Sequence, residues 1–324
     1  SQVIRNTSFR LSPGRLGVGW ITTRPSDGVV DWTQSETGDQ WQQAWYSEDG
    51  LRQATSTVQR AIIDGYDPAK PIRFRARSRA ITTFKPYSVV FGAPVLSQDR
   101  RLPALTRPEG AISFLVFNDV HNRVPLYPLL TGRAGSSIDF AVFNGDVLND
   151  PQTERELTDH LLVPMAWFAS RSIPCFFLRG NHETRGAFAR RLKDYVIEEQ
   201  LAWLRREIAG EAFQQATWRL VVMHIPPDWR KEESMLWHGE RRVRERFALS
   251  SMQAITAVIS GHTDTVDIIE PCPDKSRGFQ WPAFIGGAPS LPQATVFRVD
   301  ADATALKITR FASDGTVGAQ RSWG

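Results

Sequence analysis

Five short apolar runs in the middle of the chain are each followed at once by a polar motif. The runs are four to seven residues long and rich in β-branched and aromatic side chains, a composition typical of buried strands. We predict these strands at 112–117, 138–144, 173–178, 220–223 and 255–260. Apolar residues at helical spacing predict helices at 153–170 and 187–209, so this region is expected to be an α/β fold.

The first third of the chain has a different pattern, in which Gly, Pro, Asp and Ser separate short strand-like runs. These runs lie at 16–23, 28–33, 71–77 and 88–95. Such spacing is typical of a β-sandwich, which we predict for residues 1–104.

A stretch with Pro103, Pro108 and Gly110 has no apolar periodicity and predicts a linker at 105–110. The second domain is then expected at 111–324. Its last apolar runs, at 284–287, 294–299 and 305–311, are expected to be strands that close a second sheet.

The polar motifs that follow the five runs consist of metal-binding residue types. They contain Asp119 and His121, Asp146, Asn181 and His182, His224, and His262. Because the exit loops of strands in an open α/β sheet meet at one edge, we expect these side chains to converge. Four of the six histidines of the chain fall at these exits, which scattered histidines would not do.

Such residues suit a pair of divalent ions about 3.5 to 4 Å apart, which share a carboxylate and are also bound by imidazoles and an amide oxygen. Asp146 is the natural bridging residue. Two ions at this spacing lower the pKa of a water held between them, so that hydroxide can attack an electrophilic phosphorus near neutral pH.

The series Asp-x-His, Gly-Asp, Gly-Asn-His-Glu, His and Gly-His across residues 112–264 resembles the calcineurin-like metallophosphoesterase superfamily. The resemblance implies a four-layer α/β/β/α domain that hydrolyses phosphoesters with two divalent metal ions (Mn, Fe, Zn or Mg). Glu183 and the segment 19–25 resemble the purple acid phosphatase branch, in which an all-β, fibronectin-III-like sandwich precedes that domain.

The resemblance also implies a role for each matching residue. Asp119 and His121 would bind the first metal, Asp146 would bridge, and Asn181, His224 and His262 would bind the second. His182 would act as the acid that protonates the leaving group.

One departure from the family pattern lies at Asp264, where a second histidine normally completes the last motif. Asp264 could be a carboxylate ligand, which would favour harder ions such as Mn²⁺, Fe²⁺ or Mg²⁺. Alternatively, the first site is weak or empty; the second ion would then work alone, or His238 could substitute.

A second departure lies at Asn149, where related phosphatases carry an Asp that orients the catalytic histidine and purple acid phosphatases carry an iron-binding Tyr. A tyrosinate-coloured ferric site is therefore not expected. The partner of His182 would have to be Asp150 or Glu183.

Three further residues are candidates for contact with a phosphorylated substrate: Arg123, Arg185 and His238. An Arg can hold a phosphate with two parallel hydrogen bonds, although an Arg beside a loop is more often structural.

The main hypothesis is a phosphomonoester or phosphodiester hydrolase that uses a metal-bridging hydroxide. The alternatives are a degenerate scaffold that acts as a binding protein and a nuclease of the same superfamily. The formal net charge of +4 is dispersed, so specific nucleic-acid binding is not expected.

No apolar run is long enough for a membrane span, and both cysteines are expected to be free thiols. The missing initiator Met suggests a periplasmic or secreted protein. The oligomeric state is left open.

Overall fold

The computed structural model describes residues 3–12, 14–37, 40–48, 50–52, 56–104, 110–194, 209–226, 230, 255–274 and 280–324, with only the backbone for 3–12, 193 and 194. The strands are β1 Val3–Ser12, β2 Arg15–Thr22, β3 Ser26–Thr33, β4 Gln42–Ala44, β5 Val58–Asp64, β6 Ile72–Lys85, β7 Ser88–Leu96, β8 Arg100–Leu102, β9 Ile112–Phe117, β10 Phe140–Asn144, β11 Cys175–Leu178, β12 Leu220–Val222, β13 Ala257–Ser260, β14 Asp267–Ile269, β15 Ala283–Ile285, β16 Thr295–Ala301, β17 Leu306–Ala312 and β18 Val317–Trp323.

The α-helices of the described chain are α1 Leu126–Ala134, α2 Glu154–Leu157, α3 Val163–Ala169 and α4 Glu211–Gln215. A π-helical turn, Thr158–Leu162, joins α2 to α3. Thr153 and Glu156 form a capping box that starts α2, because each side chain accepts from the other residue's backbone N–H. Short 3₁₀ helices lie at His182–Thr184 and Ala189–Asp194.

Three sheets organise the described strands. The largest has nine strands in the order β18-β17-β16-β9-β10-β11-β1-β2-β5, the second has the order β12-β13-β15-β14, and the third has the order β4-β3-β6-β7 with β8 also on β6. Strands β9, β10 and β11 run parallel, and so do β12, β13 and β15.

Strand β9 shows why its sequence is apolar throughout. Leu115 and Phe117 lie in the core cluster that contains α1 and α3, whereas Phe114 and Val116 lie in the cluster shared with the four-stranded sheet. Because successive side chains of a strand point to opposite faces, a sheet buried on both faces needs apolar residues at every position.

These contacts stack α-helices, the nine-stranded sheet and the four-stranded sheet as three layers, which agrees with the predicted α/β/β order. The outer face of the four-stranded sheet carries a further apolar cluster with Val258 and Trp281. A helical layer on that face is not found among the described residues and stays a prediction.

The five predicted strands are confirmed as β9 to β13, with ends that differ by no more than two residues. The helix predicted at 153–170 is confirmed, with a π-helical turn inside it. Of the helix predicted at 187–209, a 3₁₀ helix is found at Ala189–Asp194 and one helical residue at 209, while 195–208 lie outside the described residues.

The prediction that the last apolar runs close a second sheet is wrong for two of them. Strand β15 does join the four-stranded sheet, but β16 pairs antiparallel with β9 and β17 pairs with β16. These strands extend the central sheet instead, because Val296 and Val299 on opposite faces of β16 enter both of its cores.

The N-terminal region is built from strands, and those predicted at 16–23, 28–33, 71–77 and 88–95 correspond to β2, β3, β6 and β7. Trp20, Trp32 and Phe74 fill a core between two sheets. One of these sheets is continuous with the central sheet, because β1 pairs in parallel with β11. Most of the predicted linker, 105–109, lies outside the described residues, and the domain boundaries stay a prediction.

Cys175 and Cys272 are both free and buried, as predicted. No helix among the described residues is long and apolar enough to cross a membrane.

Candidate metal centre

The ends of five strands from two facing sheets bring the candidate residues together. Strands β9, β10 and β11 of the large sheet and β12 and β13 of the small sheet are each followed within four residues by a predicted ligand. The sequence prediction expected a single sheet edge. The two sheets face each other across a shared apolar core, so their parallel strands end side by side.

The possible ligand atoms form three overlapping groups, within each of which all atoms lie within 4.8 Å of one another. The groups are Asp119, His121 and Asp264; His121, Asp146 and His182; and Asp146, His224 and His262. Asp146 is common to two groups, and His121 connects it to the third. These groups could hold metal ions, and Asp146 is available to more than one of them.

His224 has its ring orientation fixed by the backbone. Its Nδ1 lies 3.1 Å from the carbonyl oxygen of Asn144, and since a carbonyl only accepts, Nδ1 carries the hydrogen. In the neutral ring the lone pair is then on Nε2, which lies 3.1 Å from Asp146 Oδ2 and 3.1 Å from Asn181 Oδ1. Three acceptors that face one another in this way require a cation or a proton between them.

Asn181 adds to this arrangement, because its Oδ1 lies 2.7 Å from His262 Nδ1 as well. With the amide turned over, the NH₂ group would point at Asp146, His224 and His262, and the oxygen would accept from Arg185 Nη2 at 2.9 Å. One orientation therefore offers oxygen to a cation, and the other satisfies the same atoms without one. The donor set fits a divalent metal.

The other side of the centre contains more carboxylates. Asp119 is fully buried, and both of its oxygens accept from the backbone N–H of His262 at 2.9 Å. His121 Nε2 lies 3.8 Å from Asp264 Oδ1 and 3.9 Å from Asp146 Oδ2. The half-exposed Asp264, which replaces the histidine of the family pattern, thus lies beside His121.

The charges of these groups are sensitive to burial. Burial raises the pKa of Asp119 to about 8, although the nearby His224 and the N–H of His262 oppose this shift. Burial alone would also raise the pKa of Asp146, but the hydrogen bond and charge of His224 hold it below the usual value. Burial lowers the pKa of His121 despite the nearby Asp146 and Asp264. A bound cation would stabilise Asp119 as the anion.

The backbone of the centre is strained. Asp119 (φ 50°), His121 (φ 45°), Asp146 (φ 48°), His262 (φ 75°) and Asp264 (φ 51°) all adopt the left-handed region. Residues with a β-carbon rarely adopt this region, and such strain tends to cluster at functional sites.

Two glycines of the motifs are explained by close packing against ligands. A β-carbon on Gly180 would collide with Asp146 and lie 2.8 Å from His224 Nε2, and one on Gly261 would collide with Asp119. The glycine that precedes Asn181 or His262 in the sequence therefore leaves space for a carboxylate from another loop.

Glu183 is fully buried and braces two of the loops. One of its oxygens accepts from the N–H groups of Asp146 (2.9 Å) and Gly180 (2.7 Å), and the other accepts from Leu148 (2.8 Å). Burial raises its pKa in spite of these donors. Glu183 is therefore a support for the backbone of the Asp146 and Asn181 loops.

The partner of His182 is Asp150. His182 Nδ1 lies 2.9 Å from Asp150 Oδ1, and its Nε2 faces the centre at 3.9 Å from Asp146 Oδ2. Of the two partners that the sequence left open, Asp150 makes the side-chain contact. The carboxylate is thus displaced by one position from Asn149, and Asp150 reaches His182 from a left-handed backbone, at φ 54°.

The candidate substrate residues are placed differently. Arg185 lies at the centre, with Nη1 3.5 Å from His182 Nε2 and 3.9 Å from Asp150 Oδ1. Arg123 is exposed and its backbone bonds to Val120 and Leu126, while no described contact joins its side chain to the other candidates. His238 lies outside the described residues.

Sequence reasoning missed Asn144 as part of the site. Its Nδ2 donates to Asn118 Oδ1 at 2.7 Å and to the carbonyl of Met223 at 2.9 Å, and its own carbonyl fixes His224. It therefore joins β10 to the segment after β12. A buried polar residue at the end of an apolar run was the available signal.

Comparison with known proteins gives a consistent result for residues 112–265, which match the calcineurin-like phosphoesterase family. No curated protein sequence is similar enough to count as a relative. A purple acid phosphatase from yellow lupin (Lupinus luteus) seeds is similar in fold, with a TM-score of 0.71 and 12% identity over 98% of this chain and 73% of the lupin chain.

A predicted phosphoesterase from Streptococcus pneumoniae also matches, with 11% identity over 66% of this chain and 97% of the other, but its TM-score is only 0.34. The match of residues 112–265 covers all five strands and every candidate ligand. We conclude that residues 112–265 of this chain form a domain of the calcineurin-like phosphoesterase family with candidate metal ligands, within an overall fold like that of a purple acid phosphatase.

Proposed function

We propose that this protein is a metal-dependent hydrolase of phosphomonoesters or phosphodiesters that uses a dinuclear centre. The observation that carries the proposal is the set of three overlapping ligand groups around Asp146 and His121. The orientation of His224 supports it, because Nε2 faces Asp146 and Asn181 and in the neutral ring would present its unshared electron pair to a cation there.

Asp119, His121, Asp264 and Asp146 would hold one ion, and Asp146, Asn181, His224 and His262 would hold the other. Two divalent cations supply positive charge that withdraws electrons from the phosphoryl oxygens and makes a water nucleophilic. The first set has three carboxylates, and this oxygen-rich composition favours Mn²⁺, Fe²⁺ or Mg²⁺.

His182 is proposed as the acid for the leaving oxygen. Asp150 accepts the Nδ1 hydrogen at 2.9 Å, which orients the ring so that Nε2–H can face the substrate. Arg185, beside Nε2, is proposed to bind a phosphoryl oxygen. Glu183 accepts from the N–H groups of both Asp146 and Gly180, which holds the Asp146 and Asn181 loops in fixed positions relative to each other.

The test is hydrolysis of p-nitrophenyl phosphate and bis-p-nitrophenyl phosphate by purified protein supplied with Mn²⁺. Chelation should abolish turnover of the preferred ester, and added Mn²⁺ should restore it. Turnover that survives complete removal of metal would rule out the proposal. Inactivity with Mn²⁺, Fe²⁺, Zn²⁺ and Mg²⁺ on both esters would favour a binding protein instead.

The Asp150→Asn variant tests the proposed acid. An oriented acid matters most when the leaving oxygen is strongly basic, so we expect turnover of an alkyl phosphate to fall by about 10- to 100-fold. Turnover of p-nitrophenyl phosphate should change much less, because nitrophenolate leaves without a proton.

Asp159→Asn is the matched control, because Asp159 is a partly exposed carboxylate paired with the exposed Arg155. It should leave both rates unchanged. If Asp150→Asn lowered the rate equally for both esters, Asp150 would have a structural role in the site and would not orient the acid.

A further inference from the structure

The hairpin of β6 and β7 carries an apolar end with a single charge. Across the nineteen residues 80–98 the only charged side chain is Lys85, and none is acidic. The hairpin closes with the pair Lys85 and Ser88, so Pro86 and Tyr87 form a two-residue turn. We call residues 83–91 the hairpin tip.

Both faces of the hairpin tip are exposed. On one face Phe84 pairs with Val89, and these side chains are 61% and 43% exposed, while Val90, next in β7 and therefore on the other face, is 49% exposed. Tyr87 in the turn is fully exposed. A flat partner surface could cover only one of these faces, whereas a medium that surrounds the tip covers both.

Sheet extension by a second copy is disfavoured at this edge. Strand β7 is the edge strand of its sheet, but it contains Pro94, and its register with β6 shifts at Ile81 on both sides. A proline and a local irregularity are the features that prevent one edge strand from pairing with another.

We propose that the hairpin tip inserts into the interfacial region of an anionic phospholipid bilayer. Interfacial segments bury about 5–10 Å of apolar structure, and with about 3.3 Å per strand residue this depth takes in Tyr87, Phe84 and Val90. Pro86 has no N–H to leave unpaired in the apolar layer. An exposed aromatic residue such as Tyr87 suits the headgroup boundary.

The preference for anionic lipid follows from charge. Lys85 is the only charge at the tip, and the chain has a formal net charge of +4. Arg79 lies further back, with its guanidinium 4.1 Å from the centre of the Phe91 ring, but Asp27 already pairs with it at 2.6 Å. The electrostatic attraction at the bilayer is therefore expected to depend on Lys85.

The first experiment uses a fluorescent label at the tip. Cys175 and Cys272 are buried, so a thiol-reactive nitrobenzoxadiazole will label the exposed Ser88→Cys selectively. When vesicles of phosphatidylcholine and phosphatidylglycerol are added, the fluorescence emission of the label should shift to shorter wavelength and increase in intensity. The same label on Ala303→Cys, exposed elsewhere on the chain, should not.

A pair of substitutions gives a second measurement. Phe84→Ser combined with Tyr87→Ser should lower vesicle co-sedimentation by about tenfold or more, because two interfacial side chains are lost. Leu51→Ser is the matched control, since Leu51 is 76% exposed and lies outside the tip. Lys85→Gln should weaken binding to anionic vesicles and leave any binding to neutral ones unchanged.

Three outcomes would overturn the proposal. In the first, the emission of the Ser88→Cys label does not shift when vesicles are added. In the second, the emission is already blue-shifted before vesicles are added, which would mean that protein covers the tip. Alternatively, sedimentation velocity could show that the double substitution converts an oligomer into a monomer without a change in vesicle binding.

Discussion

Asp146→Asn is expected to lower kcat/KM for phosphoester hydrolysis by about 10³-fold or more. Asp146 is the carboxylate shared by two of the three ligand groups, so its charge would serve both ions. Asparagine keeps the shape and can still accept the N–H of His182, which bonds to Asp146 Oδ1 at 2.9 Å. The charge is lost while most of the local packing is kept.

Asp159→Asn removes the same charge at the protein surface and should retain full activity. Thermal unfolding of Asp146→Asn would check that the protein is folded before its rate is interpreted. If a folded Asp146→Asn hydrolyses p-nitrophenyl phosphate within tenfold of the unaltered protein, Asp146 does not bridge.

His224→Ala is expected to reduce the bound metal from two ions per chain to one. The imidazole is held by the carbonyl of Asn144 with its Nε2 facing Asp146 and Asn181, so the substitution removes a nitrogen ligand of the second ion. Because the remaining ion lacks its partner, hydrolysis should fall by about 10²- to 10³-fold. Elemental analysis of dialysed protein measures the stoichiometry.

Asp264→Asn tests the first site in the same assay. A neutral amide in place of the carboxylate near His121 should lower the affinity for one metal ion by about 10- to 100-fold. Excess Mn²⁺ should restore both the occupancy of that site and the rate of hydrolysis. Unchanged occupancy at limiting Mn²⁺ would show that Asp264 is not a ligand. A single ion in the unaltered protein would mean that the first site is weak or empty.

The departure from the family pattern at Asn149 has a local physical explanation in this fold. Asn149 cannot supply a carboxylate, but its N–H is held by Asn122 Oδ1 at 3.1 Å, and the next residue has a left-handed backbone. That turn directs Asp150 toward His182. The order of residues in the motif thus changes while a carboxylate stays beside the imidazole.

The sequence by itself determined the five strands and the residue types that follow them. Runs such as 112–117 are apolar at every position because both faces of the central sheet are buried, and this constraint is visible in a single sequence. The glycines before Asp146, Asn181 and His262 mark backbone that must pass close to its neighbours. Local patterns of this kind predicted the centre's candidate ligands.

Only the tertiary structure decided how these pieces meet. The pairing of β1 with β11 and of β16 with β9 joins segments far apart in the chain, and strand periodicity does not encode which strands are neighbours. The choice of Asp150 over Glu183 as the partner of His182 depended on distances across two loops. Long-range contacts decide which groups a carboxylate pairs with, because the energy of a buried carboxylate depends on the donors that surround it in space.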